Sequence, residues 1–144
     1  MELSNKSEYA LLALLELATR YSSGESLQIR QIAVLQHIPN RYLEQLLATL
    51  RRRGLIKSIR GAKGGYVLAR DPRMITLLEA FTCMEGVDTA PDVDSDTTTV
   101  ETQVIQEIWH EARQAANAVL QKYTLQDLCD RRDIHRHKEI MYYI

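Results

Sequence analysis

Residues 59–70 read IRGAKGGYVLAR, three glycines and the cations Arg60 and Lys63 set between short runs of β-branched and aromatic residues. Such a loop can cradle a nucleotide phosphate, close an ordinary hairpin, or lay a charged hairpin tip on a nucleic-acid backbone. A nucleotide loop needs four residues between its glycines and then Gly-Lys-Ser/Thr opening a helix, so that backbone N–H groups and the hydroxyl meet phosphate and magnesium. Here Lys63 precedes the double glycine, no Ser or Thr follows, and the next residues favour a strand. The nucleotide reading fails on order and on context. Gly61, Gly64 and Gly65 suit a tight hairpin tip, and Arg60 and Lys63 give that tip its charge. A cation there can lie along a narrow minor groove.

A second set precedes it. Glutamate can accept from cytosine N4, glutamine can read adenine through two hydrogen bonds, and arginine can read guanine, all in the major groove. Arg41, Glu44 and Gln45 supply these three types within five residues, flanked by Asn40, Tyr42 and Arg51. Asn40 and Tyr42 suit contact with the phosphate backbone, or, for Tyr42, packing against the preceding helix. Catalytic chemistry is absent by comparison. There is no Gly-x-Ser-x-Gly and no His-Glu-x-x-His, and His37, His110, His135 and His137 are scattered. The expectation is a protein that is not an enzyme, with no catalytic residue and no metal site.

These side chains need a scaffold. Residues 3–22 are apolar on most sides, which suits a helix buried by several neighbours. SSGES at 22–26 breaks it, and Ile29, Ile32 and Ala33 mark a short helix over 28–36. Pro39 suits the first turn of a third helix. There Leu43, Leu46, Leu47 and Leu50 fall at i, i+3, i+4 and i+7. At about 100° per residue, Arg41, Gln45, Ala48 and Arg52 point the opposite way. Gly54 ends that helix, and 55–60 and 66–69 read as strands. Helix, tight turn, helix, hairpin is the order of a winged helix-turn-helix. Thr76 caps a helix closed by Gly86, 87–99 is a flexible acidic loop, and a long helix runs from about 100 to 123. Ile105, Ile108, Trp109, Ala112, Ala116 and Val119 lie along its stripe, where small residues suit close packing against a second copy, a homodimer. The other outcome is that this helix folds back on the first. Thr124 caps a last short helix ending near 128, with Asp127 at the capping-box position, and 129–144 is a tail without assignment.

The division expected is therefore 1–86 for the winged unit, 87–99 for the loop, 100–128 for the dimerisation helix and its short successor, and 129–144 for the tail. The fold class is mostly α with a small β-hairpin wing. Charge is also unevenly spread along the chain. From Gln28 to Arg73 ten Lys/Arg face Glu44 and Asp71, a balance of +8; from Met74 to Asp130 eleven Asp/Glu face Arg113 and Lys122, a balance of −9. One part suits a polyanion and the other repels it. No apolar run approaches the length of a membrane span, and two cysteines are too few for a disulfide framework, so a cytoplasmic protein without membrane partners is expected.

With these elements in place, the sequence resembles the Rrf2 family of bacterial transcription regulators. The matching segments are SEYALLALLELA at 7–18, IRQIA at 29–33, IPNRYLEQLLATLRRRGLIKSIRGAKGGYVLAR at 38–70, ITLLEAFTCMEG at 75–86 and IWHEARQAANAVLQKYTLQDL at 108–128. The resemblance implies a homodimer on a near-palindromic operator of double-stranded DNA, usually as a repressor, with recognition helices in successive major grooves and wings in flanking minor grooves. Its base-reading pair falls on Glu44 and Gln45, its wing arginine on Arg60, and a base or phosphate contact of some members on Arg41.

Some members of that family hold an iron–sulfur cluster on three cysteines in the loop before the dimerisation helix. Residues 87–103 contain no cysteine. A second arrangement draws on a Glu and a His four residues later in the first helix; Glu8 is present but position 12 is Leu12. No cluster of either kind, and no other cofactor, is expected. Cys83 reads as a buried structural thiol, with redox sensing as the alternative, and Cys129 as lying on the polar end of the final helix. A small-molecule sensor with a pocket between the winged unit and the long helix, or a regulator working through an enzyme partner, are the other functional readings.

Overall fold

Ser4 opens the first helix by accepting the Ser7 N–H at 3.1 Å, and the chain then turns through α1, Asn5–Thr19. The computed structural model describes residues 3–86 and 99–142. α1 is followed by α2 (Ile29–Gln36), α3 (Asn40–Arg52), β1 (Ile56–Ile59), β2 (Gly65–Leu68), a one-turn 3-10 helix (Pro72–Met74), α4 (Leu77–Glu85), α5 (Val100–Lys122) and α6 (Leu125–Tyr142). α1 packs against α2, α3, α4, α6 and β2, which is why its apolar residues leave so little of it for water. Ala10, Ala13, Leu14, Leu17 and Ala18 all join one core with Ile32, Leu43, Leu47, Leu50, Ile75 and Leu125.

One charge lies in that core. Glu16 is 6% exposed, accepts from Arg20 Nη1 at 2.7 Å, and accepts from the Gln36 amide at the end of α2. A buried carboxylate is tolerated where its oxygens are hydrogen-bonded. This one ties the far end of α2 to α1.

β1 and β2 form an antiparallel hairpin in the register Ile56↔Leu68 to Ile59↔Gly65, and the Gly64 N–H closes the turn on the Gly61 carbonyl at 2.9 Å. The second strand begins one residue earlier than the sequence suggests. Gly65 is drawn into it because Tyr66 pairs on its other side with Leu27, N–H to carbonyl in both directions at 3.0 and 2.7 Å. A Cβ on Gly65 would stand 2.5 Å from the Leu27 carbonyl oxygen. Only glycine fits there.

The α4 caps are those expected: Thr76 accepts the Glu79 N–H at 3.1 Å, and Gly86 closes the helix with φ 82°. The acidic loop proposed for 87–99 lies outside the described residues except for Thr99, which is the N-cap of α5 and accepts the Thr102 N–H at 3.1 Å. α5 does not fold back on α1 as a packed element; it leans on α4, and no residue along it is buried. That place on α1 is taken by α6.

Here the sequence reading needs correction. The last helix is not short, and 129–142 is not an unassigned tail but the continuation of α6. Its start is the expected capping box, with Thr124 N–H to Asp127 Oδ2 at 2.8 Å and Asp127 N–H to Thr124 Oγ1 at 3.2 Å. Cys129 does not sit on a polar end; it is 4% exposed, with its sulfur 4.0 Å from Thr19 Oγ1. Arg132 donates to the same Thr19 hydroxyl at 2.6 Å. Beyond Arg132 the helix is exposed throughout, its few apolar residues Ile134, Ile140, Met141 and Tyr142 included, so no buried stripe marks it in the sequence. A short strap joins the halves: Leu77 N–H to the Tyr123 carbonyl at 2.9 Å and Leu125 N–H to the Ile75 carbonyl at 3.0 Å. Among the described residues, no helix is long and apolar enough to cross a membrane.

Two outcomes follow from this packing. Gly65→Ala pushes the Leu27 backbone off the wing, lowering stability by roughly 1–3 kcal/mol in urea unfolding and speeding hydrogen exchange at Tyr66 and Leu27. The second concerns Glu85, whose Oε1 accepts the hydroxyls of Ser4 and of buried Ser7, the latter at 2.6 Å. These hydrogen bonds hold the Glu85 carboxyl below its ordinary range. A lowered native pKa adds stability above the unfolded-state value, and that stability is lost as pH falls through the native one. Ser7→Ala therefore raises the Glu85 pKa in an NMR titration, and its stability deficit at neutral pH narrows on acidification.

Candidate nucleic-acid interface

The turn between α2 and α3 is made by His37 in the left-handed region, φ 54° and ψ 44°, a conformation histidine adopts more readily than most residues. Ile38 is then buried. Pro39 is the N-cap of α3, just ahead of its first turn, and its carbonyl accepts the Tyr42 and Leu43 N–H groups at 3.1 and 3.2 Å. The four leucines of the stripe are each at most 4% exposed. Burial of that one face leaves Asn40, Arg41, Glu44, Gln45, Arg51 and Arg52 on the solvent side.

Arg41 is held at the head of this face. Its Nη2 donates to the Tyr42 hydroxyl at 3.3 Å, and its guanidinium lies 5.1 Å from the Tyr42 ring centre. Tyr42 also reaches back to the first helix. Its ring tilts against Tyr9 of α1 at 6.4 Å between centroids. Tyr9 therefore supports the start of α3, a role that no local spacing in the sequence could announce. Among the described residues, the Glu44 carboxylate and the Gln45 amide have no hydrogen-bond or ion-pair partner in the protein. Beside Gln45 a cleft of about 480 Å³ opens between α3 and the first turns of α1, bordered by Asn5, Lys6 and Tyr9.

At the wing, Arg60, Gly61 and Lys63 are all exposed. The tip is held from below, since Ser26 Oγ donates to the Lys63 carbonyl at 2.6 Å. The Arg60 and Lys63 side chains make no ion pair with any described residue. Lys57 is exposed on β1. Helix face and wing tip thus offer unpaired cations, and the helix face adds a free acceptor and a free amide. Such a set can neutralise phosphates through the cations and read base edges through the carboxylate and amide.

The residues expected to meet a second copy lie together on α5. Ile105, Ile108, Trp109 and Val119 are between 54% and 65% exposed, Ala112 is exposed and Ala116 is half-buried. Cys83 lies apart from both surfaces, buried on α4. Burial pushes its thiol up, against the opposing pull of the Arg53 cation, and burial likewise pushes up Cys129. At both sulfurs burial disfavours the thiolate that oxidation chemistry uses.

Comparison with known proteins places this arrangement. The family model Rrf2, described as "Iron-dependent Transcriptional regulator", matches residues 3–131. The HTH-type transcriptional regulator CymR of Bacillus subtilis is 37% identical over 144 residues, covering the whole of both chains. A putative HTH-type transcriptional regulator of Synechocystis is 37% identical over 129 residues, 89% of this chain and 87% of that one. Among solved structures, CymR, the global cysteine regulator of B. subtilis, superposes with a TM-score of 0.76 at 35% identity, covering 90% of this chain and 97% of that one. IscR of T. potens gives 0.75 at 31% identity, covering 92% and 88%. The chain belongs to the Rrf2 family of helix-turn-helix transcriptional regulators.

Proposed function

We propose that the protein binds a near-palindromic DNA operator as a homodimer and represses transcription from it, without an iron–sulfur cluster. The observation that carries this reading is the outward face of α3, where Glu44 and Gln45 stand without protein partners. Glu44, Gln45 and Arg41 read base edges in the major groove. Asn40, Tyr42 and Arg51 hold the helix to phosphates, and Arg60 and Lys63 set the wing in the adjoining minor groove, with Gly61 allowing the tip to come close. The apolar stripe of α5, exposed from Ile105 to Val119, supports pairing with a second copy. Two-fold pairing matches two half-sites about one helical turn apart.

Iron is named in the description of the family, but the residues present do not suit a thiolate-held cluster. Residues 87–103 include no cysteine, and Leu12 stands where one arrangement needs histidine. Cys83 and Cys129 are both buried, on α4 and α6. No group of three or more His, Cys, Asp or Glu among the described residues could hold a metal. Soft thiolates hold such clusters, and the Asp and Thr of that stretch of sequence are poor substitutes.

Selection from randomised duplexes followed by gel-shift titration tests the DNA reading. A two-fold symmetric site is expected. Gln45→Ala costs about 1–3 kcal/mol and relaxes preference at one base pair per half-site, while Lys63→Ala weakens all sequences alike and lowers the salt slope by about one. Equal affinity of Gln45→Ala and Arg60→Ala with the unsubstituted protein overturns it. For the cluster, anaerobic reconstitution is expected to leave the protein colourless; stoichiometric iron and sulfide with visible absorption overturns that part.

A further inference from the structure

A cavity of about 580 Å³ lies where α5 leaves the winged unit. It is a broad depression, more open to solvent than enclosed, and it bridges three elements that the DNA reading treats as separate. Arg53 comes from the end of α3, Thr82 and Leu78 from α4, and Gln121 from the last turn of α5. Leu55 and Met74 add apolar wall, and Cys83 is buried at its edge. The volume lies within the roughly 300–1,000 Å³ of small-molecule sites, and the mixture of apolar wall with a few polar groups is the usual composition of such sites.

Charge selects the ligand class. Among the described residues, the Arg53 guanidinium has no hydrogen-bond or ion-pair partner. The carboxylate on the lining, Glu79, is already paired with Arg70. The cavity therefore carries one uncompensated cation over an apolar wall. A guanidinium presents two parallel N–H donors that match a carboxylate, and the wall from Leu55 to Leu78 suits a short hydrocarbon stem.

We infer that this cavity binds a small organic acid, its carboxylate on Arg53 and its apolar stem against Leu55, Met74 and Leu78, and that occupancy alters DNA affinity. The site itself stands on the cavity; its effect on DNA rests on the reading proposed above. Coupling follows from position. The Leu77–Tyr123 and Ile75–Leu125 hydrogen bonds make the base of α5 a strap on α4, and Arg53 directly follows the recognition helix. A ligand held between Arg53 and Gln121 sets the angle between the recognition helix and the dimerisation rod, and with it the spacing of two such helices. A ligand favouring one angle shifts the population that fits the operator.

The test uses the full chain without DNA. Straight-chain carboxylates from acetate to octanoate are titrated while the backbone amides are followed by NMR, with octylamine as the control of opposite charge. Hexanoate and octanoate are expected to give saturable shifts at Arg53, Thr82 and Gln121, acetate weaker ones, and octylamine none. Arg53→Gln is expected to weaken binding by about tenfold, the scale of one lost charge-assisted pair. Thr82→Trp, which fills the cavity, abolishes it. Absence of saturable shifts at these amides for every carboxylate in the wild-type protein overturns the site, as does equal binding of the amine. Gel shifts with saturating octanoate are then compared between wild type and Thr82→Trp. A change in DNA affinity confined to wild type supports the coupling, and no change in wild type overturns it. A wild-type protein that binds no DNA overturns the operator reading, and the titration still decides the site.

Discussion

The leucine stripe of α3 is the constraint on which the rest of this molecule turns. Leu43, Leu46, Leu47 and Leu50 are essentially removed from water, each contributing roughly 1.5–3 kcal/mol by burial. A helix held by one such stripe cannot rotate about its axis without exposing it. Burial of the leucines therefore dictates that Arg41, Glu44 and Gln45 face outward, although none of the three takes part in the core. The chemistry of the outer face is free to vary so long as the inner face is kept.

Orientation also needs fixed ends, and these come from contacts across long separations in sequence. Tyr9 of α1 supports Tyr42 at the start of α3, and Glu16 ties Gln36 before the turn. Ser26 and Leu27 hold the wing from the side opposite its own hairpin partner. The wing is thus a two-stranded ribbon with a third backbone pairing at its root. An isolated hairpin is only marginally stable in water, so the Leu27 pairing accounts for a firm tip on so small a sheet.

The second half of the chain is built differently. α5 buries none of its own residues, yet Ile105, Ile108, Trp109 and Val119 are too many exposed apolar side chains on one helix to be incidental. α6 returns to α1 through Leu125, Cys129 and Arg132, directly after the end of α5. The negative balance of this half keeps it from competing for the polyanion that the positive half attracts.

Local pattern by itself determined the helices, the hairpin and the outward set on α3, because a period of 3.6 residues and a glycine-rich turn are written within a few residues. It also determined the caps at Thr76, Gly86 and Thr124, whose partners lie three or four positions away. Tertiary structure alone decided the rest. The place of Tyr42 on Tyr9, the admission of Gly65 to the second strand by Leu27, the burial of Cys129 and the docking of α6 on α1 as far as Arg132 all depend on partners remote in sequence. The same holds for the cavity, whose lining comes from α3, α4 and α5 and exists only once the strap joins them. Periodicity reports which face of an element is apolar; which element covers that face is settled by packing.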